Sequence, residues 1–263
     1  MQKKNALVAL GGGPSPVINA SLAGVIDRCR DYPESIGRLY AAWHGVEGIL
    51  REEFVDLDIQ DPAELARLKQ TPASGVIGTC RYKLGQNQQE DFERIVEVLR
   101  AHHIGWFFYI GGNDSMDTAD KVSKLARERG LDIVVTGVPK TIDNDVGDEA
   151  RTIIDHTPGY GSTARYWASI LQDTEEENRG MSVSECVSVW QAMGRRSGFI
   201  TAASRLADPD RKWPLQLYFA EAGHNLETMA EAVNRSLTRS GRCIVVVNEG
   251  DRKSTRLNSS HIT

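Results

Sequence analysis

The sequence has few cysteines, and none lies where a cross-link or a zinc site would need it. Its 263 residues include 4 cysteines, at positions 29, 80, 186 and 243, with no C-x-x-C pair. Small disulfide-built domains and zinc ribbons use closely spaced cysteines, so both are excluded as the basis of the fold. Widely spaced thiols are typical of a reducing compartment, and the sequence therefore predicts a cytoplasmic protein.

Long apolar runs and an excess of basic residues are also missing. No stretch approaches the roughly 20 apolar residues of a membrane-spanning helix, and the first apolar run, residues 6–10, is too short for a secretory signal. Lys and Arg number 31 against 36 Asp and Glu, a formal net charge of -5. Proteins that bind nucleic acid non-specifically are normally basic. We therefore predict neither a membrane nor a nucleic acid as a partner.

Short apolar runs alternate with helical patterns along the chain. The apolar runs, each followed by glycine, proline or a polar residue, are residues 6–10, 106–110, 133–138 and 243–247. The helical patterns are residues 17–29, 115–129 and 198–207, together with a loop followed by a helix in residues 151–180, whose core is residues 163–171. Apolar strands separated by helices indicate a mostly parallel sheet with both faces covered. We predict an α/β fold in which residues 184–189 are β-like, residues 183–190 begin a second sheet, and any domain boundary lies near residues 145–155.

Four loops at the ends of predicted strands carry residues suited to binding phosphate. They are GGGPSP at residues 11–16, GGNDS at 111–115, PKTIDND at 139–145 and MGRRSG at 193–198. In an open α/β sheet, ligands bind at the carboxyl ends of the strands, and glycines there let backbone N–H groups approach a phosphate. Each loop alone also has a simpler explanation, such as a tight turn, a helix N-cap at Asp114 or Ser115, or a basic surface turn.

The loop at residues 139–145 has the densest set of polar groups. Asp143 and Asp145 can divide roles between a general base and a metal or orienting group. Lys140 can neutralise charge on a transferring phosphoryl group. In the fourth loop, the guanidinium of Arg195 can bind phosphate with two parallel hydrogen bonds. The combination indicates phosphoryl chemistry.

Taken together, the loops resemble those of the phosphofructokinase family. The patterns GGxxSPxxNA, GGNDS, PKTIDND and MGR occur in the family's order and spacing, and GTCR at residues 78–81 is similar to its arginine-bearing turn. The resemblance covers residues 6–250. It implies a two-domain phosphofructokinase-like fold of mostly parallel sheets flanked by helices. Residues 1–150 would bind the phosphoryl donor, and residues 151–250 would bind fructose 6-phosphate.

Two positions are similar to the pyrophosphate-dependent branch of that family. Asp114 and Lys140 stand where ATP-dependent members typically have glycine. A carboxylate at 114 disfavours the α-phosphate of a nucleotide, and a cation at 140 favours pyrophosphate, so the pair selects between donors. The resemblance implies reversible phosphoryl transfer in glycolysis, from Mg-pyrophosphate to the 1-hydroxyl of fructose 6-phosphate.

The resemblance also implies roles for individual residues. Asp143 would be the general base, with Lys140, Asp114 and Arg195 completing the catalytic group. Magnesium would be the cofactor, and Asn113 stands where most relatives carry an aspartate metal contact, so it offers an amide oxygen without a charge. The substrate-binding residues would be Gly12, Gly13, Arg81, Ser115, Thr141, Ile142, Asp145, Met193, Gly194 and Glu249.

Three alternatives stay open at this point. An ATP-dependent phosphofructokinase is disfavoured by Asp114 and Lys140. A dinucleotide-binding oxidoreductase would explain the glycines at residues 11–13, but their spacing is not G-x-G-x-x-G and the loop at residues 139–145 would have no purpose. The third alternative is a chain that has no activity as it stands.

The end of the sequence differs in composition from the rest. Residues 251–263 read DRKSTRLNSSHIT, which resembles the translation of a sequencing-library adapter, whereas the simpler explanation is a polar tail. We expect these residues to be an adapter-derived, disordered tail on a C-terminally truncated enzyme. The resemblance implies homo-oligomeric full-length relatives, and we expect the truncated chain to be poorly soluble and inactive.

Overall fold

The computed structural model describes residues 3–71, 75–82, 88–146 and 155–250. The chain divides into two compact units, Met1–Thr141 (unit 1) and Ile142–Thr263 (unit 2). The division lies ahead of residues 145–155, where the sequence placed a boundary. The expected tail, residues 251–263, lies outside the described residues.

Unit 1 is built on a five-stranded sheet with the order β3-β2-β1-β4-β5. Neighbouring strands are parallel except for β2 and β3, which are antiparallel. The strands are β1 Lys4–Leu10, β2 Ile36–Ala42, β3 Phe54–Asp56, β4 Ile104–Gly111 and β5 Val134–Pro139. Strand β1 is central and its apolar residues face two separate cores, Leu7 on one side of the sheet and Val8 on the other. A strand buried on both faces needs a continuous apolar run, as the sequence has here.

Helices cover both faces of this sheet. They are α1 Ile18–Arg30, α2 Val46–Arg51, α3 Pro62–Arg67, α4 Gln89–Ala101 and α5 Asn113–Glu128. Leu22 and Ile26 of α1 belong to the same core as Val8, whereas Leu99 of α4 and Val122 of α5 belong to the core of Leu7. Each such buried aliphatic side chain stabilises the fold by about 1.5–3 kcal/mol.

Unit 2 contains a parallel three-stranded sheet with the order β6-β8-β7. Its strands are β6 Val187–Ala192, β7 Leu215–Tyr218 and β8 Cys243–Asn248. Its helices are α6 Tyr160–Gly180, α7 Phe199–Ala203 and α8 Leu226–Ser240. The core joins Leu171 of α6, Ile200 of α7 and Val246 of the central strand. In the part of the chain that is described, no helix is long and apolar enough to cross a membrane.

The predicted α/β class is confirmed, but several predicted bounds differ from the observed ones, among them the start of one strand and the start of one helix. The strand expected at residues 184–189 is β6, which begins later because the N–H groups of Ser184 and Glu185 still bond to the carbonyl of Met181 in the turn after α6. The helix expected from residue 115 begins at Asn113, directly after the glycine pair.

A buried ion pair ties helix α6 to the start of strand β8. The Arg242 guanidinium donates to both carboxylate oxygens of Glu175 and, at 3.2 Å, to the amide oxygen of Asn178. The Glu175 side chain is only 5% exposed. We expect Glu175→Gln to lower the free energy of unfolding by about 3 kcal/mol, because it leaves the arginine buried without its counter-charge. Urea denaturation measures the change.

Glu176 on the same helix provides the matched control. It pairs with Arg179 on the surface, where the two side chains are 66% and 61% exposed. Exposed pairs contribute about 0–1 kcal/mol, so Glu176→Gln should hardly change the unfolding midpoint. Equal effects of the two substitutions would contradict the role of burial.

Candidate active site

The loops that follow strands β1, β2, β4 and β5 lie at one edge of the unit 1 sheet, because these strands are parallel. We call it the carboxyl edge. The loops begin at residues 11, 43, 112 and 140. Ligands of open α/β sheets bind at such an edge, so unit 1 presents its predicted phosphate-binding residues in the expected place.

The glycine loop after β1 is held by the turn that carries Arg81. Gly12 has a left-handed backbone (φ 77°). Its N–H donates to the carbonyl of Cys80 at 2.9 Å, and its own carbonyl accepts from the Thr79 hydroxyl at 2.7 Å. A Cβ added to Gly13 would lie 2.9 Å from Nη2 of Arg81. Glycine at position 13 therefore leaves the space that the Arg81 guanidinium uses.

Lys140 connects the loops after β1, β4 and β5. Its side chain is only 4% exposed, and its Nζ donates to the carbonyl oxygen of Gly13. Its backbone N–H donates to the carbonyl of Gly111 at 2.9 Å. A buried cation held against a glycine-rich loop gives the carboxyl edge a fixed positive charge, which suits an anionic ligand.

Ser115 fills the space between the two glycine loops. It is 6% exposed, and a Cβ added to either Gly11 or Gly111 would overlap its side chain. Its hydroxyl also hydrogen-bonds with Tyr109. Burial raises the pKa of the Tyr109 phenol well above its usual value, Cys80 adds to the rise, and the Ser115 hydrogen bond partly offsets it. The phenol therefore stays protonated and packs beneath the glycine loop.

The first turn of α5 presents Asn113 and Asp114 at the carboxyl edge. The N-cap is Gly112 and it makes no side-chain cap bond, so the simpler explanation, that Asp114 or Ser115 is the N-cap, is wrong. Both Asn113 and Asp114 are exposed. Within the described ranges, no group of three or more His, Cys, Asp or Glu side chains could hold a metal ion by itself.

The Met193–Arg195 segment of unit 2 is a tight turn after strand β6. Gly194 (φ 124°) and Arg195 (φ 52°) both have left-handed backbones. The N–H of Arg195 donates to Oε1 of Glu249 at 2.8 Å, and Nδ2 of Asn248 donates to the carbonyl of Met193 at 3.4 Å. These bonds form because Ala192 and Asn248 are register partners at the ends of two adjacent parallel strands.

The PKTIDND segment is shared between the units. Lys140 and Thr141 belong to unit 1, and the residues from Ile142 onward belong to unit 2. Ile142 packs against the core of unit 2. The carbonyl of Asp143 accepts from the Ser197 hydroxyl at 3.0 Å. Asp143 is thus linked to the turn that carries Met193 and Arg195.

Only glycine fits at position 194, and this gives a second prediction. A Cβ there would overlap the Ser197 carbonyl oxygen, a backbone atom, in a backbone conformation that side chains rarely adopt. We expect Gly194→Ala to lower the free energy of unfolding by about 2–3 kcal/mol, because both strain and the clash must be relieved. Urea denaturation measures it.

Gly241 is the control for Gly194. It also has a left-handed backbone (φ 70°), but nothing lies within 4 Å of an added Cβ. Gly241→Ala should therefore cost only the backbone strain, about 1 kcal/mol. If Gly241→Ala destabilised the protein as much as Gly194→Ala, the clash would have no part in the effect.

Each unit brings together its own share of the predicted residues. In unit 1, Gly12, Gly13, Arg81 and Lys140 are neighbours. In unit 2, the Met193–Arg195 turn, Asp143 and Glu249 are joined by hydrogen bonds. Tyr109 and Ser197 were not predicted as parts of the site: Tyr109 lies within the apolar run at residues 106–110, and Ser197 is an uncharged residue of the MGRRSG loop. Asn19, the asparagine of the GGxxSPxxNA pattern, accepts the N–H of Val76 at 3.0 Å, next to the arginine-bearing turn.

Comparison with known proteins shows which proteins this chain is similar to. The Phosphofructokinase family model matches residues 5–262. A pyrophosphate–fructose 6-phosphate 1-phosphotransferase of Methylococcus capsulatus is 41% identical over 96% of this chain and 60% of its own length. One of Halomonas elongata is 40% identical with the same coverage.

A solved structure is similar to this chain at about the same sequence identity. The pyrophosphate-dependent phosphofructokinase of Nitrosospira multiformis has a TM-score of 0.84 and 40% identity, over 94% of this chain and 61% of that one. The chain thus spans about three fifths of the length of these relatives. A family match over nearly the whole sequence is decisive: the chain belongs to the phosphofructokinase family.

Proposed function

We propose that this chain carries the catalytic residues of a pyrophosphate-dependent phosphofructokinase. The reaction transfers a phosphoryl group from Mg-pyrophosphate to the 1-hydroxyl of fructose 6-phosphate. The observation that carries the proposal is Lys140, a buried cation whose Nζ is held on the Gly13 carbonyl. Relatives named for this reaction, each about 40% identical, support it.

The donor would bind at the carboxyl edge of unit 1. Pyrophosphate is a compact polyanion, and the edge offers the charges of Lys140 and Arg81 beside the backbone of Gly12 and Gly13. The N-terminus of α5 adds the positive end of its helix dipole. Asp114, exposed in the first turn of that helix, disfavours a donor with a third phosphate. The other proposed donor-side contacts are Ser115 and Thr141.

The acceptor, fructose 6-phosphate, would be bound by residues of unit 2. Asp143 is the proposed general base, and Asp145 and Ile142 contact the substrate beside it. The proposed sugar contacts are Met193, Gly194 and Glu249, with Arg195 stabilising charge on the transferring group. The bond from the Arg195 N–H to Glu249 gives that carboxylate a fixed position. Phosphoryl transfer depends mainly on such positioning and on electrostatic stabilisation.

Magnesium fits the donors that the first turn of α5 supplies. Mg²⁺ prefers oxygen ligands and is usually held by one or two protein carboxylates together with substrate phosphates. Asp114 offers a carboxylate and Asn113 an amide oxygen, both exposed. When bound, the ion would neutralise charge on the phosphates. Such an ion needs no group of three acidic side chains, and no such group occurs in the described residues.

The test is a donor assay on an extended enzyme, in which residues 1–250 are joined to the C-terminal segment of the Methylococcus capsulatus relative. We expect fructose 1,6-bisphosphate to form with pyrophosphate and not with ATP. Formation of fructose 1,6-bisphosphate with ATP and not with pyrophosphate would contradict the proposal. The 263-residue chain in the same assay tests whether it has any activity without that segment.

A further inference from the structure

Asn144 separates the two carboxylates of the PKTIDND segment and has no part in the chemistry proposed above. Its backbone is left-handed, with φ 60°, a region that asparagine tolerates better than most residues. The residue is only 4% exposed. A buried amide requires hydrogen-bond partners, because burying it unpaired is costly. Both features indicate that this position has a specific structural task.

The partner of the Asn144 side chain is the segment that leads into helix α6. Its Oδ1 accepts the N–H of Thr157 at 2.7 Å. Thr157 is fully buried, and its carbonyl accepts the N–H of Tyr160, the first residue of α6, at 3.1 Å. The amide of Asn144 therefore fixes its loop to the turn from which the longest described helix begins.

The main chain beside Asn144 is held from a second direction. The carbonyl of Asp143 accepts the Ser197 hydroxyl at 3.0 Å, and the N–H of Ser197 donates to the carbonyl of Gly194 at 2.7 Å. Asp143 thus has an anchor on its own carbonyl and another through the neighbouring side chain. Two anchors on adjacent residues define the direction in which the Asp143 side chain leaves the backbone.

We propose that Asn144 is a positioning residue for phosphoryl transfer. Its left-handed backbone and its bond to Thr157 hold the Asp143 carboxylate in the orientation that proton abstraction requires. The inference rests on the proposed function, in which Asp143 is the base. A general base must lie within hydrogen-bond reach of the proton it takes, and a displacement of about 1 Å can cost about 10²-fold in rate.

Two substitutions of Asn144 distinguish the effect of its left-handed backbone on kcat from the effect of its hydrogen bond to Thr157. In the extended enzyme, Asn144→Ala removes both, and we expect kcat to fall about 10²-fold. Asn144→Gly keeps the left-handed backbone without strain and loses only the hydrogen bond, so kcat should fall about tenfold. The KM for fructose 6-phosphate should hardly change in either variant. Glycine also relieves the strain that destabilises alanine at this position, so rates are expressed per folded enzyme, with the folded fraction taken from circular dichroism.

Asn225 provides the matched control in the same unit. Its Oδ1 accepts the N–H of Thr228 at 2.8 Å as the N-cap of α8, so Asn225→Ala breaks the same type of bond away from the candidate site. It should lower stability and leave kcat unchanged. A wild-type kcat for Asn144→Ala would overturn the proposal. So would an equal loss of kcat in Asn225→Ala and Asn144→Ala.

Amide exchange in the extended enzyme gives a readout that does not depend on activity. The N–H of Thr157 should exchange faster in Asn144→Ala and Asn144→Gly than in the unsubstituted chain. An unchanged exchange rate of the Thr157 N–H in both variants would show that Asn144 does not hold this segment. If the unsubstituted extended enzyme formed no bisphosphate, the proposed function would fail, whereas the exchange measurement would still decide whether Asn144 holds this loop.

Discussion

Asparagine in place of Asp143 lowers the kcat of the extended enzyme by about 10²–10⁴-fold, the usual contribution of a general base. Asparagine has the same size but cannot take the proton of the sugar hydroxyl. The backbone should stay in place, because the Ser197 hydroxyl donates to the main-chain carbonyl of Asp143. That bond does not involve the carboxylate that the substitution removes. Steady-state kinetics with pyrophosphate measures kcat, and calorimetry measures the Kd for fructose 6-phosphate, which should change little.

The control for Asp143 is Asp173, an exposed carboxylate on α6 of the same unit. Asp173→Asn should leave both kcat and Kd as they are. An Asp143→Asn enzyme with unchanged kcat would remove Asp143 as the base. A kcat that fell together with sugar binding would instead assign Asp143 to substrate binding.

Lys140→Met should lower kcat/KM for pyrophosphate by about 10²–10³-fold, the typical effect of losing one well-placed electrostatic group. Methionine has a similar length and no charge, so the substitution removes the positive charge and the donor to the Gly13 carbonyl. The KM for fructose 6-phosphate should change little, because the proposed sugar contacts are in unit 2. Initial rates with each substrate varied in turn measure the two effects.

Lys121 is the control for Lys140. It lies on the surface of α5, paired with Asp117, and Lys121→Met removes the same charge from unit 1. It should not change the kinetics with pyrophosphate. If both lysine variants weakened pyrophosphate use alike, the effect would come from the overall charge of the unit and not from the position of Lys140.

Three of the strands that the sequence predicted, β1, β4 and β8, contain an unbroken apolar run. Strand β1 and strand β8 read as such runs because they lie in the middle of their sheets. Strand β2 was not predicted, since its first half is largely exposed and contains Gly37 and Arg38. Strand β7 has only 4 residues, too few for a pattern. Burial on both faces therefore explains why β1 and β8 were recognised, whereas β5 was also predicted although it is an edge strand and largely exposed.

In the candidate site, too, some contacts could be predicted from the sequence and others could not. The meeting of Arg195 and Glu249 follows from strand order, because each residue lies just beyond the end of one of two paired strands. The bonds of Ser197 to Asp143 and of Asn144 to Thr157 could not be predicted. They join residues 54 and 13 positions apart through side chains that stand in no periodic pattern. Tertiary packing alone decides such contacts.

The packing of Ser115 against Gly11 and Gly111 limits the order in which these positions can change during evolution. A methyl group on either glycine would overlap the serine, so alanine at 111 becomes tolerable only in a lineage that has already lost the Ser115 side chain. Position 11 would still meet the Tyr109 hydroxyl, 2.8 Å from an added Cβ. The three residues therefore form one epistatic group, and single-step replacement of either glycine should be selected against.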